Sequence, residues 1–181
     1  MARAVFQVEN SKFCAQALAW AQQFEQVCFL QSNTYKDEYS ALQAVLAVDA
    51  NAIFIAKAPQ KAFAELETFK TQHANKWLFG FLSYELKNET DGLNTVFEDP
   101  LDFPEAFFFS PKTRIEFQGD SIVIDATDPN LIYTSISNWP IATDEVKSAP
   151  LAMQARMTKP KYMQAFNHMM HHIHQGDIYE V

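Results

Sequence analysis

The amino-acid sequence predicts an α+β fold, with mainly antiparallel sheets packed as a sandwich and helices on the outside. Three observations carry this. Segments near 11–25, 60–74 and 159–175 repeat apolar residues at helical spacing. Several short runs between them are apolar enough for buried strands, among them 27–30, 53–55, 77–86 and 107–109. Residues 114–125 read as a hairpin, in which Arg114-Ile115-Glu116-Phe117 and Ser121-Ile122-Val123-Ile124-Asp125 flank the turn Gln118-Gly119-Asp120. A mixture of helical stripes and hairpin-connected strands favours an α+β arrangement over a parallel one.

The elements follow in order. Val5, Phe6 and Val8 suit a first strand. Asn10 or Ser11 offers a cap oxygen to a helix whose stripe is Phe13, Ala17, Trp20 and Phe24. Val27-Cys28-Phe29-Leu30 reads as a buried strand and Gln31 to Thr34 as a polar break. Residues 39–48 are apolar without a clear period. Ile53-Phe54-Ile55 predicts a strand, and Pro59 opens the helix carrying Phe63, Leu66 and Phe69. Trp77 to Leu86 is apolar on both parities and predicts a central strand covered on both faces. Gly80 within it marks a bulge or the close approach of another backbone. Residues 87–102 read as a surface loop, and Phe107-Phe108-Phe109 as a further buried strand. Residues 126–150, with Pro129, Pro140 and Pro150, read as a connector, which places a domain boundary near 140–155. Thr158 caps the last helix, Pro160 fits its first turn, Tyr162, Phe166, Met169 and Ile173 form its stripe, and Gly176 ends it. Asp177 to Val181 then begins a strand. An ending that is apolar, with no polar tail, predicts a chain that continues beyond Val181.

Composition narrows function. Lys and Arg number 14 against 22 Asp and Glu, for a formal charge of −8. Without a basic run, the chain is ill-suited to phosphate backbones, so no nucleic-acid partner is expected. The four glycines are far apart in sequence. That excludes phosphate-cradling and dinucleotide-binding loops, which need clustered glycines. Cys14 and Cys28 make no CxxC and are expected to be small buried hydrophobes. No secretion signal and no apolar run of about 20 residues is present, so the expected setting is cytoplasmic, with no membrane partner. His168 and His172 have metal-ligand spacing, but Met169 stands where a zincin-type site needs Glu. All four of His168, His171, His172 and His174 lie beside or opposite the apolar stripe and are expected on a solvated face. The pairs Glu65/Glu67 and Glu98/Asp99 are expected to be solvated charges.

Two stretches carry more. Trp77-Leu78-Phe79-Gly80-Phe81-Leu82-Ser83-Tyr84-Glu85-Leu86 resembles a W-x-x-G-x-L-[SG]-Y-[ED]-L segment of the chorismate-utilising enzymes. Tyr162, followed by His172-Ile173-His174-Gln175-Gly176-Asp177-Ile178-Tyr179-Glu180-Val181, resembles the helix-to-strand entry into their catalytic domain. The Phe103-Pro104 to Pro111 segment and the spacing agree. The resemblance is strongest to component I of the aminodeoxychorismate synthases, with component I of the anthranilate synthases next.

The resemblance implies that residues 1–150 form the family's N-terminal regulatory and structural domain, and that 151–181 are the first helix and strand of the chorismate-binding catalytic domain. It implies amination of chorismate at C4, in the para-aminobenzoate branch of folate synthesis, with ammonia from a glutamine amidotransferase subunit. It also places the Mg²⁺ ligands and catalytic groups beyond Val181, so no catalytic residue, metal ligand or cofactor is expected in this chain. A non-catalytic regulatory module of the same fold is the alternative. At Glu180 the water-adding relatives carry lysine and the amine-adding ones usually glutamine. A carboxylate accepts hydrogen bonds and cannot donate as an ammonium does, which argues against the water-adding enzymes. The family's amino-acid effector pocket, which holds tryptophan, is matched by Leu30-Gln31-Ser32 and by Tyr39-Ser40. Ala41 and Leu42 replace its Arg and Phe. Losing the guanidinium removes a multi-donor partner, so tryptophan is expected to bind weakly or not at all. An exposed stripe on helix 159–175 and a bare strand at 177–181 predict pairing with a second copy of the chain.

Overall fold

A computed structural model describes residues 1–33, 35, 42–56, 61–92, 101–141 and 152–179. Two compact units divide the chain, Met1–Ala142 and Thr143–Val181. The first unit begins with β1 (Ala2–Gln7), α1 (Asn10–Ala21), β2 (Val27–Gln31), β3 (Ala44–Ala56) and α2 (Ala62–Gln72). It continues with β4 (Phe79–Leu82), a short 3-10 turn at Tyr84–Leu86, α3 (Lys87–Asp91), β5 (Ala106–Gln118), β6 (Ser121–Ala126) and α4 (Pro129–Ser137). The second unit carries α5 (Lys159–Gln175).

The α+β class and the antiparallel pairing are those the sequence predicts. The sandwich is not: the described strands form a single six-stranded sheet in the order β1-β6-β5-β3-β2, with β4 added beside β5. One expected pair of short strands merges, and one expected strand joins the apolar run before it that had no clear period. Residues 44–48 and 53–55 lie in the one 13-residue strand β3, and residues 107–109 and 114–117 in the 13-residue strand β5. They pair along their whole lengths, from Ala44↔Phe117 to Ala56↔Ala106. A register shift between Ala50 and Ala52, next to Asp49 at φ 59°, lets so long a ribbon bend. The β5–β6 hairpin forms as expected, with Gly119 at φ 56° in its turn.

The core lies on one face of the sheet. Leu46, Val48, Ile115, Phe117, Ile122 and Ile124 point to it and meet Phe13, Ala17 and Trp20 of α1 and Ile136 of α4. Fully burying one such side chain contributes roughly 1.5–3 kcal/mol. Gln16 of α1 donates through Nε2 to the carbonyls of Ser137 (2.7 Å) and Trp139 (3.3 Å), tying α1 to the end of α4.

Several expectations need correction. The run 126–150 is not wholly a connector, because α4 occupies 129–137. Asp128 accepts from the Leu131 N–H and Pro129 sits in the first turn, a start signal present in the sequence. The cap position of α1 falls on Glu9, one residue before the expected Asn10 or Ser11, and Glu9 makes no side-chain cap bond. Residues 27–30 form an edge strand, not a buried one, with Leu30 and Val27 both exposed. The segment 77–86 is likewise no central strand: β4 is four residues long, pairs only with β5 among the described residues, and leaves Trp77, Phe81 and Leu82 exposed. Residues 87–91 of the expected surface loop form α3. Its Glu89 accepts from the Ala62 N–H (2.8 Å) and the Phe63 N–H (3.3 Å), satisfying the start of α2. Pro59, Glu98 and Asp99 lie outside the described residues.

In the second unit α5 begins after Thr158, which makes no side-chain cap bond, and ends at Gly176 with φ 81°. Asp177 to Tyr179 is not a strand. The expected bare strand edge is therefore missing from its described part, while the stripe Tyr162, Phe166 and Met169 is exposed as expected. Among the described residues no helix is long and apolar enough to cross a membrane.

Candidate functional site

Ser32 follows the end of β2 and is half-buried. Its N–H donates to the Gln43 carbonyl (2.8 Å), and its own carbonyl accepts from Tyr35 N–H (3.0 Å) across a turn in which Asn33 has φ 50°. Of the other expected site residues, Tyr39, Ser40 and Glu180 lie outside the described residues, as does Ala41.

The Trp77–Leu86 segment is placed with more detail. A Cβ on Gly80 would sit 1.9 Å from the Phe107 carbonyl oxygen, so the close backbone approach read from the sequence is the reason for this glycine. Trp77, just before β4, stacks on Phe79 at 6.1 Å. The Arg114 guanidinium lies 4.4 Å from the centre of the Trp77 ring.

Arg114 centres a charge cluster that sequence reasoning missed. It faces away from the apolar core, on the side shared with Val45, Ala47, Phe79 and Phe109. Nη2 donates to Glu116 (2.9 Å) and to Asp125 (2.5 Å), and Arg3 approaches the same two carboxylates at 3.5 and 4.0 Å. The side chains of Arg114 and Glu116 are each 7% exposed. The available signal was the alternation Arg114-Ile115-Glu116-Phe117, which puts both charges on one face of the hairpin, with Asp125 paired opposite Arg114.

A cavity of about 360 Å³ adjoins the cluster, lined by Asn75, Lys76, Trp77, Ser110, Arg114 and Asp125 among others. Its position follows from the sheet. Along one edge β5 pairs with β4 through residues 106–109 and with β6 through 114–118. Neither strand pairs with 110–113, and Pro111, which has no N–H to offer, stands in that gap.

The histidines of α5 are exposed or half-exposed. His168 and His172 meet edge-on at 4.8 Å, and His172 Nδ1 is 2.8 Å from the Asp177 carboxylate. Among the described residues no three His, Cys, Asp or Glu side chains converge as a metal site. Cys14 and Cys28 are free and half-buried, and burial raises both thiols above their ordinary value.

Residues 24–181 match the model of the chorismate binding enzyme family. That match takes in β2 to β6, α2 to α5 and both sequence segments quoted above. The chain belongs to the chorismate-binding enzyme family. No curated protein matches it.

Proposed function

We propose that this chain is the N-terminal portion of component I of an aminodeoxychorismate synthase, which replaces the 4-hydroxyl of chorismate with ammonia from a glutamine amidotransferase subunit. The observation that carries the reading is the family match over 24–181. Within that match, Trp77–Leu86 and Gly176-Asp177-Ile178-Tyr179 stand in the order found in the aminating synthases. Glu180 supports amine over water as the nucleophile, because a carboxylate cannot donate as the lysine of the water-adding relatives does. On this reading residues 1–150 are structural and regulatory. The Mg²⁺ carboxylates and catalytic groups belong to the rest of the synthase. On the same reading Ser32, Tyr39 and Ser40 correspond to the family's amino-acid effector motif, which Ala41 weakens.

Deleting the gene segment for residues 1–181 in the source organism should create a requirement for para-aminobenzoate that tryptophan does not relieve. A requirement for tryptophan would move the chain to the anthranilate branch and overturn the assignment. Growth without either supplement would overturn the synthase reading altogether. The purified 181-residue chain should not convert chorismate in the presence of ammonia and Mg²⁺.

A further inference from the structure

We infer that the cavity in the split between β4 and β6 is a binding site for a small organic carboxylate with an apolar body. Three features of the site carry this. First, Arg114 has a buried Nη1 with no hydrogen-bond partner, while its Nη2 is already engaged by Glu116 and Asp125. Buried donors are nearly always paired, and an orphan on a cationic group is costly to leave. Second, the cluster is locally cationic within a chain of charge −8: Arg3, Lys76 and Arg114 stand against Glu116 and Asp125. Lys76 lines the cavity and has no ion pair among the described residues. A second cationic donor is thus free to take the other oxygen of a carboxylate. Third, the Trp77 ring, Pro111 and Met1 give the wall an apolar part, beside the polar Asn75 and Ser110. The volume lies at the lower end of the range for small-molecule sites, which suits a compact acid.

Nη1 is closed to water, and the Trp77 ring lies over the guanidinium. A ligand therefore reaches Arg114 by displacing the half-exposed indole. Occupancy should change the emission of Trp77 and leave that of Trp20, which is 3% exposed in the core, unaffected.

Benzoate serves as the probe, benzamide as its uncharged counterpart and inorganic phosphate as an oxyanion without an apolar body. The 181-residue chain should show a saturable change in tryptophan emission with benzoate in the millimolar range or below, and none with benzamide. Lys76→Ala, a surface change, should weaken benzoate at least fivefold. Arg114→Gln should abolish binding where circular dichroism shows the fold intact. In Trp77→Phe the optical signal should vanish while calorimetry still detects benzoate. No saturable benzoate response, equal binding of benzamide, phosphate binding without benzoate binding, or benzoate affinity unchanged in Lys76→Ala would each overturn the assignment.

Discussion

The two faces of the sheet use the same strands to different ends. On one, Leu46, Val48, Ile115, Phe117, Ile122 and Ile124 meet α1 and α4 in an apolar layer. On the other, the neighbours of those residues along the chain, Val45, Ala47, Arg114, Glu116 and Asp125, mix small apolar groups with a charge cluster. The first face gains its stability from area removed from water. The second holds charges whose desolvation offsets much of their mutual attraction, so their value as packing is small. A polar cluster this well buried beside an open cavity is better explained by a ligand than by folding.

Breaking the comparison begins with its largest expected effect. Arg114→Ala leaves the buried Glu116 short of its partner and should cost about 3–5 kcal/mol in urea denaturation, the range for breaking a buried ion pair. Leu46→Ala, on the apolar face, should cost about 2–5 kcal/mol through lost burial and the cavity left behind. Asp128→Ala removes the cap of α4 and should cost about 1 kcal/mol. The smallest effect is at the thiols. Cys14 packs against the apolar core and Cys28 against the opposite cluster, and burial raises both above the ordinary 9.0. A thiol raised in the folded state favours folding only while protonated. Its contribution is complete below the unfolded value and is lost as pH climbs through the folded one, on the alkaline side of 9.0. Iodoacetamide should therefore modify both cysteines more slowly in the native chain than in urea at pH 8, and stability should fall slightly as pH rises above 9.

Legibility in the sequence follows the same division. The apolar face was readable because hydrophobic periodicity reports burial: Phe13, Ala17 and Trp20 on α1, and Ile122 and Ile124 on β6, sit where their spacing puts them. Apolar content alone misled where it was read as burial. Val27–Leu30 and Trp77–Leu82 are rich in large side chains yet lie at sheet edges, because position in a sheet depends on pairing partners that local sequence does not name. The helix α4 was hidden by prolines read as breakers, although Asp128-Pro129 is a start signal. Gly80 could be interpreted because its neighbour is a backbone. Arg114, Glu116 and Asp125 could not, since their meeting depends on the β5–β6 register and on β4 ending short of β6.

The central claim is that the charged face is kept for binding and the apolar face for stability. The triple variant Arg114→Met, Glu116→Leu, Asp125→Leu tests it most directly, with urea denaturation and benzoate titration run on the same protein. The account predicts unchanged or increased stability, by up to about 4 kcal/mol as seen when buried ion clusters are replaced by apolar groups, together with complete loss of the benzoate response. A folded variant that still binds benzoate, or one that loses stability on the scale of Leu46→Ala, would contradict it.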